Sequence, residues 1–90
     1  MLEKKLKIIN PLGLHARAAA RLVRLAGTFK SEIRIKRTDN AVVADAKSIL
    51  SILTLAASTG TELEVEFEGE DENTAAKEIE ELFTNGFGEI

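Results

Sequence analysis

The heptapeptide Glu62-Leu63-Glu64-Val65-Glu66-Phe67-Glu68 constrains the fold more than any other stretch of the chain. Its strict alternation has the two-residue period of a β-strand. Leu63, Val65 and Phe67 share one face and four glutamates share the other. This strand therefore belongs to a sheet with one buried and one solvated face, and helices are expected to cover only the buried side.

Two further segments alternate, Lys5-Leu6-Lys7-Ile8 and Glu32-Ile33-Arg34-Ile35-Lys36. Thr38-Asp39-Asn40 supplies turn chemistry after the latter, and Ala41–Ala44 can return as a hairpin arm. Three segments have helical period instead. From Ala16 to Ala26, residues Ala18, Leu22, Leu25 and Ala26 form an apolar stripe opposite Arg17, Arg21 and Arg24, with Gly27 at the expected C-terminal glycine position. Ser48–Ala57 is a short apolar helix. Asp71–Phe83 places Ala75, Ile79, Leu82 and Phe83 on one side, loads its first turn with acids and stops at Asn85-Gly86. The predicted order is βαββαβα. A right-handed crossover makes the first two strands parallel, with another strand between them. The expected fold is α+β, an open-faced β-sandwich with a four-stranded antiparallel sheet in the order 1-4-2-3 and three helices on one face.

Ninety residues without a linker or repeat predict one domain over 1–90, burying about 60–65% of its unfolded surface. No cysteine and a single histidine exclude disulfides, thiolate zinc sites and multi-histidine metal sites. No apolar run approaches the ~20 residues of a membrane span, and no signal peptide precedes the first strand, so a cytoplasmic location is expected. The net charge of −3 hides a bipolar chain: residues 1–40 hold ten Lys/Arg and three Asp/Glu, residues 41–90 two Lys and twelve Asp/Glu. A basic half invites a nucleic-acid reading. Four phenylalanines with no Tyr or Trp are poor for base stacking, and the glutamate sheet face repels a phosphate backbone, so no nucleic-acid partner is expected. The acids at Glu68-Gly69-Glu70-Asp71-Glu72 lack calcium-loop spacing and suit a helix start, so no metal is expected.

The segment Asn10-Pro11-Leu12-Gly13-Leu14-His15-Ala16-Arg17 departs from local rules. His15 occupies the helix cap where Ser, Thr, Asp or Asn is usual. A ring held over the free N–H groups of the first turn, with Arg17 two residues on, combines a nucleophilic nitrogen, an anion site and a guanidinium suited to phosphate. These parts suit a group that accepts a phosphoryl and holds it transiently. From the residues alone, a histidine without chemistry is as well supported. Ser48, at the start of the second helix, is explained by capping alone. Ile49, Leu50, Ile52, Leu53 and Leu55 cover more of that helix than one buried face needs. Ile49, Leu50 and Leu53 are therefore expected on the surface as a small docking patch.

Gly13-Leu14-His15-Ala16-Arg17 with Ala19, and Lys47-Ser48-Ile49-Leu50 some thirty residues later, resemble the HPr family, the histidine-containing carriers of the bacterial phosphoenolpyruvate-dependent sugar phosphotransferase system. The resemblance runs from the first strand to the Leu82-Phe83 helix. It implies a phosphocarrier that is not itself an enzyme and uses no cofactor, acting as a cytoplasmic monomer. In the family the histidine takes phosphate on Nδ1 from enzyme I and passes it to an enzyme IIA. Carried over, His15 is the phosphorylated residue and Arg17 steadies the phosphate. Ser48 matches the site of an HPr kinase/phosphorylase found in many bacteria. The expected partner surface is Ala16, Ala20, Arg21 and Arg24 on the first helix with Lys47, Ile49, Leu50 and Leu53 at the second. Three departures stand out: Ala18 replaces the usual proline, Ser51 a usual glycine, and Leu55-Ala56 a Leu-Gly pair. The run Leu55-Ala56-Ala57-Ser58 and the ending Leu82-Phe83-Thr84-Asn85-Gly86-Phe87 also resemble the nitrogen-related branch, whose output is regulatory. A relative that keeps the serine but transfers nothing would lack His15.

Overall fold

The computed structural model describes all 90 residues. Strands β1 (Leu2–Lys7), β2 (Glu32–Arg37), β3 (Val43–Asp45) and β4 (Glu62–Glu68) alternate with helices α1 (Ala16–Ala26), α2 (Ile49–Leu53) and α3 (Glu72–Thr84), and a short 3₁₀ turn follows at Gly86–Gly88. The sheet order is β1-β4-β2-β3 with every neighbouring pair antiparallel, as the alternation and crossover rule predict. β1 and β2 are thus parallel to each other across β4.

Leu63, Val65 and Phe67 of β4 lie in register with Leu6, Lys4 and Leu2 of β1, and Val65 and Phe67 oppose Ile35 and Ile33 of β2. Their inward faces are sealed by Ala18, Ala19, Leu22 and Ala26 of α1, Ile52 of α2, and Ala75, Ala76, Ile79 and Phe83 of α3. The outward face is a lattice of opposite charges. Arg34 meets Glu66 at 3.2 Å and Lys36 meets Glu64 at 3.3 Å, each pair directly opposed across β2 and β4. Two of the ten basic residues of the positive half are thereby paired with acids of the negative half on one sheet face.

The end of α2 needs correction, and the ends of α1 and α3 add detail that the sequence did not specify. Regular helix in α2 ends at Leu53, not Ala57. The chain tightens through Thr54 and Leu55, and Ala56 adopts a left-handed conformation at φ +48°. Arg37 Nη1 takes up the carbonyls of Leu55 and Ala56 at 2.9 and 3.2 Å, satisfying groups that a longer helix would have satisfied internally. Gly27 does stand at the end of α1, but in the right-handed region at φ −66°. Asp71 caps α3 by position only. Its carboxylate turns away to accept from the Ser31 hydroxyl and from the Lys30 and Ser31 amides.

Candidate functional site

The site is built from two loops and the end of the chain. After β1, Ile8 is clamped to the β4 approach by Ile8 N–H donating to Thr61 and Gly60 N–H donating to Ile8. Gly13 then turns the chain at φ +69°, and Leu14 N–H donates to the Ala57 carbonyl at 2.8 Å. A Cβ on residue 13 would fall 2.7 Å from that same carbonyl and 2.8 Å from Ser58 Cα, so only glycine fits. Leu14 is buried in the core, which fixes where His15 emerges.

His15 is the N-cap residue of α1, with extended backbone at φ −79° and ψ −178°. Its carbonyl accepts from Ala19 N–H, while the amides of Ala16, Arg17 and Ala18 have no backbone acceptor. Ala18, where the family's proline usually stands, is fully buried and continues the helix without distortion. The ring does not cap these amides, contrary to the sequence reading. It is held elsewhere: His15 Nε2 lies 2.7 Å from Glu89 Oε2. The same oxygen accepts from Arg17 Nε at 3.1 Å. Asn10, fully buried, donates from Nδ2 to Glu89 Oε1 at 2.8 Å and to the Gly13 carbonyl at 2.7 Å.

Glu89 is the residue the sequence reading missed. Its side chain is only 9% exposed, although it stands next to the last residue of the chain. Hydrogen bonds from Asn10, His15 and Arg17 outweigh the penalty of burial and hold its carboxyl down at about 2. The group is therefore a carboxylate that can only accept, so Nε2 carries the proton. In the neutral ring the lone pair is then left on Nδ1. The signal for this contact is the run Gly86-Phe87-Gly88 just after α3. Gly86 and Gly88 take φ +57° and +76°, and Phe87 between them takes φ +56°. This folds the Phe87 ring onto Phe83, with centroids 4.9 Å apart, and buries it in the core. Arg21 donates to the Phe87 carbonyl and secures the turn.

The other predicted residues divide into two groups. Ala16, Arg17 and Arg24 are exposed along α1, while Ala20 and Arg21 are half-buried. Lys47 reaches the Phe29 carbonyl at 2.8 Å. Ser48 is the N-cap of α2, its hydroxyl accepting from Ser51 N–H at 3.3 Å. Ile49, Leu50 and Leu53 are exposed, whereas Ile52 and Leu55 are buried. An open depression lined by Pro11, Leu12, Arg17, Arg21, Gly88 and Glu89 borders the site. The carboxylates of Glu3, Glu64 and Glu66 can bring oxygens within 4.8 Å of one another on the sheet face, but Glu64 and Glu66 already face Lys36 and Arg34.

A phosphoryl acceptor needs an available nitrogen, a cation and free donors. The sequence of residues 2–85 matches the family described as the PTS HPr component phosphorylation site. The chain belongs to the HPr family. It is 46% identical over 89 residues to the phosphocarrier protein HPr of Xylella fastidiosa, covering 99% of this chain and 98% of that one. A crystal structure of HPr from Thermoanaerobacter tengcongensis superposes with a TM-score of 0.92 at 38% identity, covering 100% and 99% of the two chains. A crystallised HPr dimer from the same organism gives 0.77 at 38% identity, covering 99% and 100%. As an HPr, the chain is a phosphocarrier of the phosphotransferase system. No helix in it is long and apolar enough to cross a membrane.

Proposed function

We propose that this HPr accepts a phosphoryl group on Nδ1 of His15 from phospho-enzyme I and passes it to an enzyme IIA, in the sugar branch of the system. The observation that carries this reading is the bond between His15 Nε2 and the Glu89 carboxylate, which leaves the Nδ1 lone pair for attack. The free amides of Ala16, Arg17 and Ala18 lie at the start of α1, a favourable place for negative charge. Arg17 steadies the phosphate. The chain carries the group between proteins and has no turnover of its own.

Docking uses Ala16, Ala20, Arg21 and Arg24 together with Lys47, Ile49, Leu50 and Leu53, an apolar patch rimmed by cations for acidic partners. Phosphorylation of Ser48 by an HPr kinase/phosphorylase would place a dianion inside that patch and oppose docking. The protein works as one domain, monomeric and cytoplasmic.

Incubation with phosphoenolpyruvate and enzyme I should add one acid-labile phosphate, absent in His15→Ala. Equal labelling of the variant refutes the assignment. Arg17→Ala should slow transfer while leaving the fold intact. Parallel assays with sugar-branch and nitrogen-branch enzyme I decide the branch.

A further inference from the structure

We infer that Glu89 is the positioning residue of the transfer reaction: its carboxylate fixes the His15 tautomer and balances the charge that the ring acquires. This deepens, and rests on, the phosphocarrier reading of His15. Geometry supports it from three sides. The carboxylate is nearly covered, at 9% exposed, and makes its closest contact, 2.7 Å, with Nε2 of His15. Asn10, itself fully buried and tied to the Gly13 carbonyl, fixes the opposite oxygen, so the carboxylate cannot rotate away while Asn10 stays in place. The turn that delivers it is anchored by the buried Phe87 ring at positive φ. A conformation that costs about 1–3 kcal/mol in a non-glycine residue persists only where its surroundings hold it.

The chemistry follows from the proton on Nε2. As the Nδ1 lone pair forms the N–P bond, the bond from phosphorus to the donor breaks and its electron pair leaves with the donor. The Nε2 proton stays, so the phosphorylated ring is an imidazolium. Glu89 then faces a full positive charge at hydrogen-bond distance, an interaction stronger in the product than in the neutral starting ring. Glu89 also holds Arg17 Nε on the same oxygen, keeping guanidinium and ring in one fixed arrangement.

Glu89→Ala and Glu89→Gln separate the two roles, since the glutamine carbonyl can still accept from Nε2–H but carries no charge. Ring ¹⁵N shifts of His15 in the full-length protein report the tautomer without any transfer. Where the ring is neutral, it should carry its proton at Nε2 in the wild type and in Glu89→Gln, whereas Glu89→Ala should show a mixture of both tautomers. The phosphorylation rate with phosphoenolpyruvate and enzyme I should fall about tenfold in Glu89→Ala, the lower end of the loss seen when a partner that orients a metal-bound histidine is removed. Glu89→Gln should be slowed less, with its phosphorylation equilibrium shifted toward the donor. Wild-type rates in Glu89→Ala overturn the proposal. So does a slow Glu89→Ala with an unchanged tautomer, which would assign Glu89 a purely structural role. A wild type that takes no label refutes the carrier reading instead, and the tautomer spectra still show whether Glu89 fixes the ring.

Discussion

Ala56 is a residue in the wrong conformation for its side chain, and removing that side chain should stabilise the protein. It sits at φ +48° just past α2, where the family's Leu-Gly pair would supply a glycine. A Cβ in the left-handed region costs about 1–2 kcal/mol. Ala56→Gly removes that cost but restores freedom to the unfolded chain, worth about 0.4–1 kcal/mol in the opposite direction. Ala56 is exposed, so its methyl contributes no core burial. The net expectation is a gain of about 0.5–1 kcal/mol, or about 3–6 °C in Tm for a domain of this size. The neighbouring Ala57 is the internal control. It is 5% exposed and lies outside the positive-φ region, so Ala57→Gly loses a buried methyl as well as chain entropy, about 1–2 kcal/mol in total. Urea and thermal denaturation of both variants measure the pair. An Ala56→Gly protein no more stable than the wild type would refute the idea that backbone strain is stored there.

Gly13→Ala should cost about 2–4 kcal/mol by denaturation, because its Cβ meets backbone atoms of Ala57 and Ser58 at 2.7 and 2.8 Å in a left-handed conformation. Acid stability follows from three depressed carboxyls, Glu89, Asp71 and Asp39, the last lowered by its exposed pair with Arg37. Glu89 is held at about 2 by Asn10, His15 and Arg17, and Asp71 is lowered by the Ser31 hydroxyl and the Lys30 amide. Each folded value lies below the unfolded one, so the stabilisation is complete above the ordinary carboxylate range and is lost as pH falls through it toward about 2. Denaturation at about pH 7, 4 and 2.5 should show this acid limb, and Glu89→Gln should make it shallower.

The fold was legible where periodicity and burial agree. β4 announces its two faces residue by residue, and the crossover rule then leaves few places for β1 and β2. The end of α2 was not legible, because Leu55 continues the apolar period set by Ile52 and no glycine or proline marks the stop. Its side chain is indeed buried, but through a tightened turn that the Leu14–Ala57 hydrogen bond and Arg37 require. His15 stood out because it violates capping preference. Glu89 did not, since an acid near a chain terminus reads as solvated surface, and what makes it internal is the packing of Phe87, a tertiary event with only two flanking glycines as its trace.

The span of chain that meets at His15 has a consequence for folding. Glu89 is 74 positions from His15 and 79 from Asn10, and Ala57, which fixes Leu14, lies on a third distant segment. Contacts this far apart pay their loop-closure entropy before they return any energy, so they form with the final native structure and not in a local fragment. The pairing of ring and carboxylate therefore reports whether the entire chain is folded. A lesion anywhere in the sheet or helices reduces competence at His15 in proportion to the unfolded fraction it creates.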